Sequence, residues 1–280
     1  MIKRILVPLD DSAFATTALE YACTIAQYND AEVTGIAVLD IPGIRKSVGP
    51  VPAGASYYAE KMRKDRQDKE FHHIKSLLNA FKKKCERSNV KYREATHQGH
   101  PSEIIIQKSM YFDLIVAGLY SRFQYAEGDR PPETIVDILD SSVTPILAVP
   151  EKFKSLDNAR ALLAFNGSLP AARAMQHFAL LTGGNKPNFK LTILVCENDM
   201  EKAGFYIENA ERYVKAHGFD KVETVISAKS INDALEQDYY DKSDVIILGL
   251  HSKKFFTDFF MGSISKFLIE KGKKPILLGQ

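Results

Sequence analysis

The chain has 280 residues, 45% hydrophobic and 26% charged, an ordinary globular composition with enough apolar material for one large domain or two small ones. A formal net charge of +2 argues against a nucleic-acid binder that works by general electrostatics, and no apolar run of about 18 residues offers a membrane span. The N-terminus runs from Met1 into a strand without a signal-peptide layout, and Cys23, Cys85 and Cys196 lie far apart, so the expectation is a cytoplasmic protein with reduced, mostly buried thiols.

Ile5-Leu-Val7 reads as a short apolar strand that ends in the polar turn Asp10-Asp11-Ser12, which also supplies a helix N-cap. The next helix places Phe14, Ala18, Leu19, Ala22, Cys23 and Ala26 on one face. Residues 33–39 are a second strand. Pro42, Gly43, Gly49, Pro50, Pro52 and Gly54 mark the following stretch as loop. Residues 57–88 are highly charged yet carry Met62, Phe71, Ile74, Leu77, Leu78 and Phe81 at helical spacing, which predicts a long amphipathic helix. A weaker strand at residues 91–95, a helix starting at Pro101, a strand at residues 113–118, a helix at residues 133–139 and a strand at residues 145–149 complete a run of five strands with a helix between each pair, ending on a strand. The lysines at 82–84 and at 271, 273 and 274 sit near helix ends and read as solvated faces.

The pattern then restarts. Residues 161–168 match residues 5–12, Asp244-Val-Ile-Ile-Leu-Gly249-Leu-His-Ser252 matches Asp113-Leu-Ile-Val-Ala-Gly118-Leu-Tyr-Ser121, and Lys274-Pro275-Ile-Leu-Leu278 matches Thr144-Pro145-Ile-Leu-Ala148. The chain therefore divides into residues 1–152 and 158–280, joined by a linker, with an insertion in the first copy mostly between Ile41 and Phe71. Alternating strands and helices predict parallel sheets covered on both faces, with ligands at the carboxyl ends of the strands. Residues 245–248 are a buried strand. A helix starts at Ser263, where Ile264, Phe267 and Leu268 fall at helical spacing, so Gly262-Ser263 presents free N–H groups at a positive helix end and suits an anion. The Lys of a P-loop and the three glycines of a dinucleotide fingerprint are missing.

With these residues in view, the chain resembles a tandem universal stress protein. Nucleotide-binding members carry Gly-x-x-Gly, nine residues, then Gly-Ser or Gly-Thr; here Gly249-Leu-His-Ser252 is followed by nine residues and Gly262-Ser263, with Ser252 in place of a glycine. The resemblance implies two tandem Rossmann-like doubly wound α/β domains, each a five-stranded parallel sheet in the order 3-2-1-4-5, paired through their final strands into an intramolecular pseudo-dimer. It also implies an acid after the first strand that holds the nucleotide. Asp10 matches that acid in the first half, whereas Asn166 stands there in the second. Pro132-Glu133 occupies the first half's phosphate turn, and a missing N–H and a carboxylate both oppose an anion there. The candidate ligand residues are Asn166, Gly249, His251, Ser252, Gly262, Ser263 and Ile264, with Asp10 and Gly118 in the first half. Gly and Ser at such turns also serve as plain caps, and Asp10, Asp11 and Ser12 as the cap of the first helix.

His72-His73 and His97-x-x-His100 lack the ligand number of a closed zinc site, so no structural metal is expected. His251-Ser252 lacks a nucleophile elbow and an orienting acid. Phe255, Phe256, Phe259 and Phe260 suit a core, a partner surface or the floor of a pocket. The expected function is a cytoplasmic, stress-responsive regulator that binds an adenine nucleotide, ATP or AMP, with Mg²⁺ if ATP, and has no nucleic-acid or membrane partner. Slow nucleotide hydrolysis or transfer in the same crevice, and a ligand-free interaction module, are the alternatives. The loop at residues 42–55 is expected to lie over the first half's crevice as a lid.

Overall fold

A computed structural model of the protein describes residues 1–52, 54–121, 138, 141–181, 188–249 and 271–279. The strands of the first half are β1 (Arg4–Pro8), β2 (Glu32–Leu39), β3 (Lys91–Gln98), β4 (Leu114–Gly118) and β5 (Ile146–Val149). Those of the second are β6 (Arg160–Ala164), β7 (Lys190–Cys196), β8 (Val222–Ser227), β9 (Val245–Gly249) and β10 (Ile276–Gly279). Their spatial order is β3-β2-β1-β4-β5-β10-β9-β6-β7-β8, so each half is a parallel sheet in the order 3-2-1-4-5 and the two join in one ten-stranded sheet.

The junction between halves is antiparallel, with Ile276 opposite Ala148 and Leu278 opposite Ile146. Both strands are short, apolar and fully buried, so each covers an edge that would otherwise template association. The outer edges, β3 and β8, carry charged and exposed side chains instead.

Alternation along the strands divides the core. Ile5 and Val7 of β1 face one side, where α1 (Ala13–Asn29), α3 (Ser56–Arg87), α5 (Leu169–Leu181) and α6 (Met200–Ala216) pack, and Leu6 faces the other with Ile105 of α4 (Pro101–Ser109). The first of these clusters runs unbroken through both halves and holds Cys23 and Cys85, distant in sequence and both buried. Residues 150–159 are pinned along α1: Thr17 donates to the Glu151 carbonyl at 2.5 Å, the Lys154 N–H donates to the Tyr21 hydroxyl at 3.1 Å, and Tyr28 donates to Asp157 at 2.6 Å.

The breakers after β2 suggested loop, but Ile41–Ser47 forms α2. Asp40 caps it by accepting the Gly43 N–H at 2.9 Å, and Pro42 sits in the first turn, where its missing N–H costs nothing. Ile44 is fully buried in a small cluster with Ala37, Leu39 and Ile74, which ties α2 to α3. The third strand is longer than its polar sequence suggested and runs to Gln98, because register with β2 outweighs its weak propensity. No described helix is long and apolar enough to cross a membrane.

Candidate functional site

Both halves build the same turn after their first strand. In the first, Asp10 Oδ1 accepts the Ser12 N–H at 2.8 Å and Ser12 Oγ accepts the Ala15 N–H at 3.1 Å. In the second, Asn166 Oδ1 accepts the Ser168 N–H at 3.1 Å and Ser168 Oγ accepts the Ala171 N–H at 3.3 Å. An amide oxygen serves this turn as well as a carboxylate does, which explains why Asn can stand where Asp stands. In Asn166 the Nδ2 donor then has no partner among the described residues.

The glycines that end the fourth strand of each half have a packing reason. A Cβ at Gly118 would overlap Phe14 and Ser121, and one at Gly249 would overlap the backbone of Pro170 and Ala171. Each strand end thus abuts the first turn of the helix that follows the half's first strand, and only a residue without a side chain permits that approach.

Asn166 and Gly249 meet in a crevice of about 440 Å³ at the carboxyl ends of β6, β7, β8 and β9, where the strand order reverses. Ala164, Phe165, Leu248 and Ile231 supply its apolar part. Glu197, Asn198, Lys229 and Ser230 supply polar groups. The ends of β7 and β8 went unnoticed in sequence, although the switch-point rule itself points to them; they lie in short polar turns without a motif. Glu197 is held below the usual carboxylate range by the Lys202 ammonium at 2.6 Å, helped by the Asp199 N–H. Lys229 reaches Asp238 at 2.6 Å and Gln237 at 3.2 Å. Burial pushes the Cys196 thiol up. Among the described rim residues each charge is therefore already paired, and amides, backbone groups and apolar surface line the rest.

The corresponding wall of the first half is built differently. Leu9 N–H donates to the Ile36 carbonyl at 2.9 Å, and Phe165 N–H to the Leu194 carbonyl at 2.9 Å, which aligns the two strand ends. By that alignment Leu39 and Asp40 stand where Glu197 and Asn198 stand, and both are buried under α2. Asp11 lies 3.9 Å from His73 of α3. The remaining sequence candidates, His251, Ser252, Gly262, Ser263 and Ile264, lie outside the described residues, as do Pro132, Glu133 and the phenylalanines at 255–260. The crevice's size is that of a small-molecule site, and an apolar floor with amide donors at the rim fits a nucleoside.

The fold is that of a tandem α/β protein with a switch-point crevice. Residues 1–121 match the model of the Universal stress protein family. The chain is similar along 99% of its length to a universal stress protein from Archaeoglobus fulgidus DSM 4304, of which it covers 98%, with a TM-score of 0.71 and 17% identity. A putative universal stress protein from Pseudomonas aeruginosa UCBPP-PA14 gives a TM-score of 0.60 at 13% identity, covering 99% of this chain and 93% of that one. The cytoplasmic domain of a prokaryotic cation chloride cotransporter gives 0.62 at 11% identity, covering 99% and 95%. At such identities these likenesses establish the shared fold. No curated protein matches the chain.

Proposed function

We propose that the chain is a stress-response regulator that binds an adenine nucleotide or a related small ligand in the crevice of its second half. The observation that carries this reading is the position of that crevice: about 440 Å³ of partly apolar space at the switch point, with amides rather than free charges among the described residues of its rim. The nucleoside end lies over Phe165, Leu248 and Ile231, and Asn166 donates its free Nδ2 to a ribose hydroxyl. The phosphate end rests on the N–H groups of Ser263 and Ile264, an assignment that rests on sequence spacing and on Gly262 admitting an anion close to the backbone. A nucleotide so held would supply phosphates for Mg²⁺ to bind. Paired rim charges and the absence of a histidine among the described lining residues favour binding over catalysis.

Calorimetry with ATP on the full chain tests the reading. Gly262→Asp abolishes binding by placing a carboxylate at the phosphate turn, and Glu133→Gln in the first half leaves the affinity unchanged. Full binding by Gly262→Asp, or no binding by the parent chain, would overturn it. Mass spectrometry of ligand released from freshly purified protein identifies the natural occupant.

A further inference from the structure

A second cavity lies at the seam where the halves meet. It holds about 130 Å³ and is lined by Tyr21, Lys152, Lys154, Arg160, Lys273 and Lys274, with Asp241 and Asp244 beside them. Antiparallel pairing of β5 with β10 creates it: the register that sets Ile276 opposite Ala148 carries Pro150 and Lys152 at the end of β5 toward Lys273 and Lys274 at the start of β10. The crevice proposed for the nucleotide is at the opposite edge of the same sheet. A five-residue strand such as β9 separates the two edges by roughly 15 Å.

Five cationic side chains and two carboxylates line this space. Asp244 is fully engaged, accepting the Arg160 N–H at 3.0 Å, Arg160 Nε at 3.0 Å and the Lys154 ammonium. Asp241 is exposed. Lys274 donates to the carbonyls of Tyr240 and Ser243, the latter at 2.7 Å, and burial lowers its proton affinity despite the opposing pull of Asp241 and Asp244. The side-chain ammonium groups of Lys152 and Lys273 have no hydrogen-bond or ion-pair partner among the described residues. Tyr21 is fully buried, and its hydroxyl accepts the Lys154 N–H without donating to any described residue. The cavity is smaller across than the Debye length of about 8 Å, so salt screens these cations from one another only in part. An anion with several acceptor oxygens would receive the Tyr21 proton and offset the repulsion.

From this convergence we propose that the seam is a binding site for a small phosphoryl-bearing anion, held jointly by both halves: Tyr21 and Lys152 from the first, Lys273 and Lys274 from the second. Because the cavity exists only where β5 and β10 pair, its occupant clamps the halves together and reports on their joining. The site stands independently of the nucleotide reading.

Calorimetry of the full chain with inorganic pyrophosphate, at constant ionic strength in chloride, tests the proposal. The parent chain gives a saturable isotherm with one site. The double variant Lys152→Ala, Lys273→Ala weakens it at least tenfold, and Tyr21→Phe, which removes one donor along with the acceptor of the Lys154 N–H, weakens it about threefold. Lys83→Ala, an exposed lysine on α3, leaves it unchanged. Both seam lysines are exposed, so the double variant keeps the parent thermal midpoint and a loss of binding is not a loss of fold. Absence of a saturable isotherm, an unchanged affinity in the double variant, or an equal loss in Lys83→Ala would each overturn the seam site. A loss confined to Asn166→Ala would overturn it too, by moving the anion to the crevice, and would leave the nucleotide reading standing.

Discussion

The two halves share a sheet order, an Asx turn, a serine cap and a terminal glycine on the fourth strand, yet they differ where the second strand ends. In the first half Leu39 is buried and Asp40 spends its carboxylate on capping α2, whose Ile44 is locked against Ile74. In the second, Glu197 and Asn198 open onto a crevice, and α6 starts directly behind them with Asp199 as its cap. The two halves thus share the parts that hold the fold and differ at the strand end that borders the crevice. What looks like a binding motif in such a pair has first to be separated from what the packing demands of both copies.

The glycine pair offers the sharpest comparison. A methyl group at Gly249 meets only backbone of α5, which cannot move aside, whereas at Gly118 part of the obstruction is the Ser121 side chain. Gly249→Ala should cost about 3 kcal/mol and Gly118→Ala about 1–2 kcal/mol in urea denaturation. Equal costs would show that the two strand ends are packed alike.

Next come the aspartates before the fourth strand of each half. Asp113 accepts the N–H groups of Lys3 and Arg4 at 2.7 and 2.9 Å; Asp244 accepts that of Arg160 and two cationic side chains besides. Asp244→Ala is therefore expected to lose about 2 kcal/mol and Asp113→Ala about 1 kcal/mol. A reversal of that order would mean that the cations at the seam contribute nothing to the pair.

The crevice itself is tested by filling it. Ala228 lines it, and Gln98 holds the corresponding place in the first half. Ala228→Phe should weaken ATP at least tenfold, about 1.4 kcal/mol, while Gln98→Phe leaves the isotherm unchanged. Loss in Gln98→Phe alone would exchange the roles of the halves.

The smallest effects are those of pH on the seam. Arg160, then Lys154, holds Asp244 below its ordinary value, so its contribution is present above about pH 4 and is lost as pH falls through the lowered value. Burial raises Tyr21 to about 12, so the neutral phenol stabilises the fold below about pH 10, and that contribution fades as pH climbs from there toward 12. Stability curves of Asp244→Asn should be flatter at the acid end and those of Tyr21→Phe flatter at the alkaline end. Parallel curves for variant and parent would remove these groups from the linkage.

Much of the architecture was readable before any coordinates. Because burial on both faces of a parallel sheet demands unbroken apolar strands, local apolar runs and helical spacing marked the strands and most helices of the first half and β6, β9 and β10 of the second, but not β7 or β8. Self-similarity between residues 113–121 and 244–252 exposed the repeat. Asp10 and Asn166 were found by position, since a polar residue at a strand end is conspicuous. The helix α2 was missed because proline and glycine read as breakers, whereas Asp40 and the pocket around Ile44 decided otherwise. Glu197, Asn198 and Lys229 were missed because ordinary polar turns carry no signal until the register brings three strand ends together.

The chain's own pattern of apolar, polar and small residues thus determined its elements, their class and their repetition, which are local consequences of side-chain size and hydration. Only the tertiary structure decided which strand ends share a crevice and which cations gather at the seam. Both are set by antiparallel pairing of β5 with β10 and by parallel pairing of β6 with β9, contacts between residues so far apart in sequence that no local preference encodes them.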